Sequence, residues 1–248
     1  MGHFQVFTDA ELDSIRRGGK ILSACLKMLR GEVREGITTG ELDRIAEKFI
    51  LDEGGLPAFK GYHTFPATLC TSVNEECVHG IPGKRVREDG DIVALDCGVL
   101  MDDLYTDACI SVGVGSVSPD AAKLLKVTEV ALERGVSAIH AGGKVGDISA
   151  AIQEYVESQG CSCVDALTGH GLGYDLHQFP DIPNVGRKGT GPVLPVGAVI
   201  AVEPIVALGK PRIHQEDDGW TIRTADRSLA AHFEHTLLVT ADGCEVIA

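Results

Sequence analysis

Four carboxylates and one imidazole recur in this chain where apolar, β-branched runs pass or end. Asp96 lies in IVALDCG, Asp107 in LYTDACI eleven residues later, Glu203 in VIAVEPI and Glu234 in AHFEHTLLV, while His170 stands between glycines in TGHGLG. A carboxylate inside an apolar strand is costly unless something neutralises it. Each residue alone reads as an edge, turn or capping position, but the joint occurrence does not read as packing. Oxygen-rich donors suit hard divalent cations, and a single histidine fits manganese, iron, cobalt or zinc better than calcium. Four carboxylates exceed what one catalytic ion with an open position needs. They suit two ions about 3–4 Å apart, bridged by shared carboxylates, with a water between them as the nucleophile.

Strands must carry these residues. The spacing predicts them over residues 91–100, 108–114, 198–202 and 232–239, each rich in β-branched side chains. Helical patterns precede them, over residues 8–29 and 118–139, the first opening on a capping box of Thr8 and Glu11. An internal echo links the two halves. Residues 36–54 (GITTGELDRIAEKFILDEG) align without gaps on residues 142–160 (GGKVGDISAAIQEYVESQG), at an offset of 106. Gly36 falls on Gly142, Gly40 on Gly146, Leu42 on Ile148, Ala46 on Ile152, Phe49 on Tyr155 and Gly54 on Gly160. Both copies repeat apolar residues at three and four, which is one face of an amphipathic helix. Helices leading and strands following in each half imply an α+β domain with mixed or antiparallel sheet. The expectation is one catalytic domain over 1–248, made of halves near 8–115 and 116–248.

Bulk properties narrow the class. With 44% hydrophobic and 23% charged residues, the 248-residue chain can bury a sizeable core. A net charge of −14, from 36 acidic and 22 basic residues, argues against nucleic-acid binding and anionic membranes. No apolar stretch approaches the roughly 18 residues of a membrane span, and the N-terminus has no signal-peptide run. The eight cysteines show no C-x-x-C pair and read as free, mostly buried thiols of a cytoplasmic protein. No GxGxxG or P-loop opens a helix after a strand.

Taken in order, the two aspartates, TGHGLGYDLHQFP, AVEP and FEHT resemble the methionine aminopeptidase family, whose fold is called pita-bread. The resemblance runs from about Thr8 to Val246 and implies a pseudo-twofold α+β domain with a curved sheet covered by helices. It implies removal of the initiator methionine from nascent chains, with a small second residue preferred. By motif, Asp96, Asp107, His170, Glu203 and Glu234 would hold two divalent ions (Co, Mn, Fe or Zn), with Asp107 and Glu234 bridging. His79, in NEECVHGIPG, would contact the substrate amide or leaving amine. His177, in YDLHQFP, would hydrogen-bond the scissile carbonyl, and Glu203 would also shuttle a proton. Holding the free α-amino group at one ion would confine cleavage to the first residue.

The family's methionine pocket maps onto Phe59, Tyr62, Phe65, Cys70, Leu176 and Trp220, and aromatic rings with a sulfur suit a thioether. The sequence departs from the family in places: Leu176 stands where phenylalanine is frequent, Phe59 and Phe65 replace a cysteine and a tyrosine of some relatives, and Gln178, after His177 in HQFP, replaces the commoner glutamate. They bear on the pocket's detailed preference. Without an N-terminal zinc-binding extension or a large second-half insertion, the chain resembles the short bacterial type I form, a monomer with transient ribosome association. Two alternatives remain at this point. One is an X-Pro aminopeptidase or prolidase, which carries an added N-terminal domain; the other is a silent binding module of the same fold, which loses metal ligands.

Overall fold

The computed structural model describes residues 2–248. Helix α1 (Asp9–Glu32) starts at the capping box expected for it: the Thr8 side chain accepts from the Glu11 amide, and the Glu11 carboxylate takes the Thr8 N–H. Helix α2 (Thr39–Asp52) has the same device in Thr38 and Glu41. Helix α3 (Pro119–Ser137) is capped by Ser118, with proline in its first turn. In α4 (Val145–Ser158) the Asp147 carboxylate accepts the Lys144 N–H. Both α2 and α4 are 14 residues long and begin at positions equivalent under the sequence echo. The paired glycines adopt matching left-handed backbones, φ +84° and +80° at Gly36 and Gly142, +85° and +73° at Gly54 and Gly160. A side chain there would be strained, which is why glycine occupies each position.

The sheets are antiparallel. In the first half, Ile92–Met101 and Leu104–Gly113, ten residues each, form a hairpin, and Leu69–Val73 flanks the former strand. The hairpin turn is Asp102–Asp103, both with positive φ, the conformation that matches the natural strand twist. In the second half, five strands run in the order Gly243–Val246, His235–Thr240, Val199–Val202, Thr168–Gly171, Gln178–Pro183. Helices α1 and α2 cover the first sheet through a core that includes Leu22, Leu29, Leu42 and Leu95. Helices α3 and α4 cover the second through Leu124, Ile148, Ile152 and Ile200. Seven of the eight cysteines are buried and all eight are free. Among the described residues, no helix is long and apolar enough to cross a membrane.

Two strand expectations need correction. The strand expected to begin at residue 108 begins at Leu104, because the tight turn lets Tyr105 and Thr106 join the ladder opposite Leu100 and Val99. The strand expected over 232–239 is two strands, Ala230–His232 and His235–Thr240. Phe233 and Glu234 lie between them, where the chain passes from the Ile205–Ala207 ladder to the Val199–Val202 ladder. Glu234 instead bridges to Cys109 of the other half, with N–H to carbonyl distances of 3.0 and 3.4 Å. Hydrophobic alternation continues through this break, so periodicity alone does not reveal it.

Candidate active site

The hairpin register sets the first two carboxylates. Asp107 pairs with Gly98 and Asp96 with Cys109, so both aspartates project from one face as diagonal neighbours. A Cβ on Gly98 would come within 2.8 Å of Ala58 and Phe59, so glycine there lets the pocket wall close on the strand. His170 sits in the Thr168–Gly171 strand, and its flanking glycines serve close packing. A Cβ at Gly169 would lie 2.4 Å from the Ala201 carbonyl oxygen, and one at Gly171 2.2 Å from that of Phe179. Glu203 follows directly after Val199–Val202, its carbonyl held by the Asn184 side-chain amide at 2.9 Å. Glu234 occupies the break between strands.

These five residues converge. Candidate ligand atoms of Asp96, Asp107 and Glu234 lie within 4.8 Å of one another, and so do those of His170, Glu203 and Glu234. Glu234 belongs to both triads. Asp107 also groups with His170 and His177 at the same spacing. Asp96, Asp107, His170 and Glu234 are buried, and the Glu203 side chain is 12% exposed. Burial pushes the Asp96 carboxyl up to about 7. Burial first, then neighbouring carboxylates, lifts Asp107, Glu203 and Glu234 well above the usual range.

A cation fits this arrangement. The His170 Nδ1 lies 3.0 Å from the Gly171 carbonyl, which can only accept, so Nδ1 carries the proton. Burial lowers the ring's pKa to about 3, leaving Nε2 an unprotonated donor. That lone pair faces carboxylate oxygens, 3.5 Å from Glu203 Oε1 and 4.0 Å from Asp107 Oδ2. Meanwhile Asp96 Oδ1, Asp107 Oδ1 and Glu234 Oε1 are buried without a hydrogen-bond partner. Lone pairs facing one another in a dry site are what a divalent cation resolves.

The remaining residues named from the sequence line the same cleft: Phe59, Tyr62, Phe65, Cys70, His79, Leu176, His177 and Trp220. Phe65 meets Trp220 edge-on, with ring centroids 5.1 Å apart. Tyr62 Oη lies 3.2 Å from His177 Nδ1, and the His177 ring stands 4.3 Å from His170. His79 adopts a left-handed backbone, φ +59°, and desolvation lowers its pKa to about 4. Gln178, at the edge of the cleft segment, accepts the Asp175 N–H at 3.3 Å. Three lining residues were not singled out in the sequence: His63, Val78 and His232. His232 lies two residues before Glu234, and strand alternation could have placed both on one face.

The arrangement has close relatives. The model of metallopeptidase family M24 matches residues 13–241. A methionine aminopeptidase of Clostridium perfringens is 46% identical over 237 residues, covering 96% of this chain and 95% of the relative. Methionine aminopeptidase 1 of Bacillus subtilis is 43% identical, with 97% of each covered. The structure of methionine aminopeptidase from Thermotoga maritima superposes with a TM-score of 0.98 at 39% identity, covering 99% of both chains. A prolidase from Pyrococcus furiosus, at 21% identity and a TM-score of 0.78, shares the fold; this chain covers 64% of it. The chain belongs to metallopeptidase family M24, in its methionine aminopeptidase branch.

Proposed function

We propose that this chain removes the initiator methionine from nascent proteins, using two divalent ions held by Asp96, Asp107, His170, Glu203 and Glu234. One observation carries the reading: an apolar pocket ends against two overlapping donor triads that share Glu234. Asp107 and Glu234, each of which falls in two of the donor groups, would hold the ions in common. Divalent ions bound there would supply Lewis acidity and bring the pKa of a water down toward neutrality.

The chain's own groups do the rest. Phe59, Tyr62, Phe65, Cys70, Leu176 and Trp220 receive the unbranched thioether side chain, whose sulfur is polarisable enough to favour aromatic contact. With the Tyr62 phenol donating to Nδ1, the His177 proton resides on Nε2, which donates to the scissile carbonyl as negative charge develops. His79, neutral at working pH, contacts the amide that becomes the leaving amine. Glu203 holds the proton taken from water and returns it to that amine. A small second residue is the preference that the methionine aminopeptidase relatives lead us to expect here. The working protein is a cytoplasmic monomer formed as one catalytic domain, associating transiently with the ribosome where its substrates emerge.

The test is hydrolysis of Met-Gly-Met-Met and Pro-Gly-Met-Met by metal-stripped protein, with and without Co²⁺ or Mn²⁺. Free methionine from the first peptide alone, and only with metal, supports the reading. Cleavage of both peptides overturns the specificity, and no turnover with any divalent ion in a folded chain overturns the activity.

A further inference from the structure

The Glu203 carboxylate stands between two imidazoles. Its Oε1 lies 3.5 Å from His170 Nε2, and its Oε2 lies 3.7 Å from His232 Nε2. The same His232 nitrogen is 3.8 Å from Glu234 Oε2. His232 is 2% exposed, and neither of its ring nitrogens has a hydrogen-bond partner. Leaving both unsatisfied in a dry site is costly, so the ring calls for a nearby acceptor. Its backbone cannot swing away. The His232 N–H donates to Ser111 Oγ at 3.1 Å, and its carbonyl accepts from Ser111 Oγ at 2.7 Å.

We propose that His232 is a positioning residue of the metal centre, whose Nε2–H holds the Glu203 oxygen turned away from His170. A closure of about 1 Å brings the pair into hydrogen-bond range. Carboxylate–imidazole contacts behind a metal ligand fix its orientation, and their loss typically weakens metal affinity about 10- to 100-fold. The inference rests on the metal-centre reading above. It assigns the orientation of Glu203, and so of its proton, to a residue outside the five ligands.

The experiment is Co²⁺ titration of metal-stripped wild type, His232→Leu and His232→Gln, followed by calorimetry and by the visible absorption of bound Co²⁺. The expected result is a loss of about 10- to 100-fold in affinity and an altered band for leucine. Glutamine, whose amide can donate from a similar place, restores both. If the leucine chain does not fold, His232→Asn, polar but too short to reach, is read in its place. Wild-type affinity and spectrum in the leucine or asparagine variant overturn the proposal. Equal loss in glutamine and leucine also overturns it, pointing to direct ligation by the ring. A wild type that binds no Co²⁺ is a separate failure, that of the metal-centre reading itself.

Discussion

Thr236 and Asp107 hold each other by a reciprocal pair of hydrogen bonds, although 129 residues separate them. The Thr236 hydroxyl accepts the Asp107 N–H at 2.9 Å and donates to the Asp107 carbonyl at 2.6 Å. One buried hydroxyl thus fixes the backbone of a proposed bridging ligand from the opposite half. Thr236→Val leaves two buried backbone groups unpaired, at about 1–3 kcal/mol each. The melting temperature should fall by about 2–4 °C per kcal/mol for a chain of this size. Thr236→Ser, which keeps the hydroxyl, should stay near wild type. Calorimetric melting of the three chains checks this, and equal stability of the valine and serine variants would contradict it.

Stability without metal should depend on pH through the crowded carboxylates. The Asp96 carboxyl has a folded pKa of about 7 against an ordinary 3.8, so the folded chain holds a proton that the unfolded chain releases. Its contribution is complete below pH 3.8 and is lost as pH rises through about 7. Metal-stripped Asp96→Asn should therefore gain on metal-stripped wild type as pH is raised from 5 to 8. The buried histidines titrate in both chains and drop out of the comparison. With Co²⁺ present the order should reverse. A gap between the two melting temperatures that ignores pH would sink the argument.

Tyr62 should matter through His177. Tyr62→Phe removes the phenol 3.2 Å from Nδ1 and frees the ring to take the other tautomer. His177→Ala, which removes the carbonyl donor itself, should lower kcat by about 100- to 1,000-fold. Tyr62→Phe should lower it less, and the double variant should resemble His177→Ala rather than the product of the two losses. Steady-state kinetics on Met-Gly-Met-Met decide, since multiplying losses would separate the two residues.

Trp220 is the chain's one tryptophan and lies in the cleft wall, 5.1 Å from Phe65 and 6.2 Å from His79 between ring centroids. Its emission should shift when methionine saturates the metal-loaded protein. Norleucine, unbranched and of similar length, should shift it too, while valine should not. A response to all three, or to none, would place the side-chain pocket elsewhere.

Much of this site was legible because the proposed ligand carboxylates fall inside or directly beside apolar strand runs. A carboxylate at Asp96 or Glu203 interrupts apolar runs that local packing cannot explain. The helices were legible for local reasons too, since Thr8–Glu11 caps within one turn. What escaped depends on distant contacts. The break at Phe233–Glu234 arises because Glu234 pairs with Cys109 across the halves, and no local propensity encodes that. The hairpin start at Leu104 depends on the Asp102–Asp103 turn, which reads as an ordinary polar loop. His232 is buried through contacts that are not local, its backbone held by the Ser111 hydroxyl 121 residues away.

Asp96 and Asp107 come from one side of the Cys109–Glu234 bridge, and His170, Glu203 and Glu234 from the other. A cation seated among them is therefore a clasp across a seam as well as a reagent. Because an ion that binds the folded chain and not the unfolded one draws the equilibrium toward the fold, metal supply and resistance to unfolding should rise and fall together. In a cell short of the metal, this protein would lose its grip on itself at the same moment as it loses its activity.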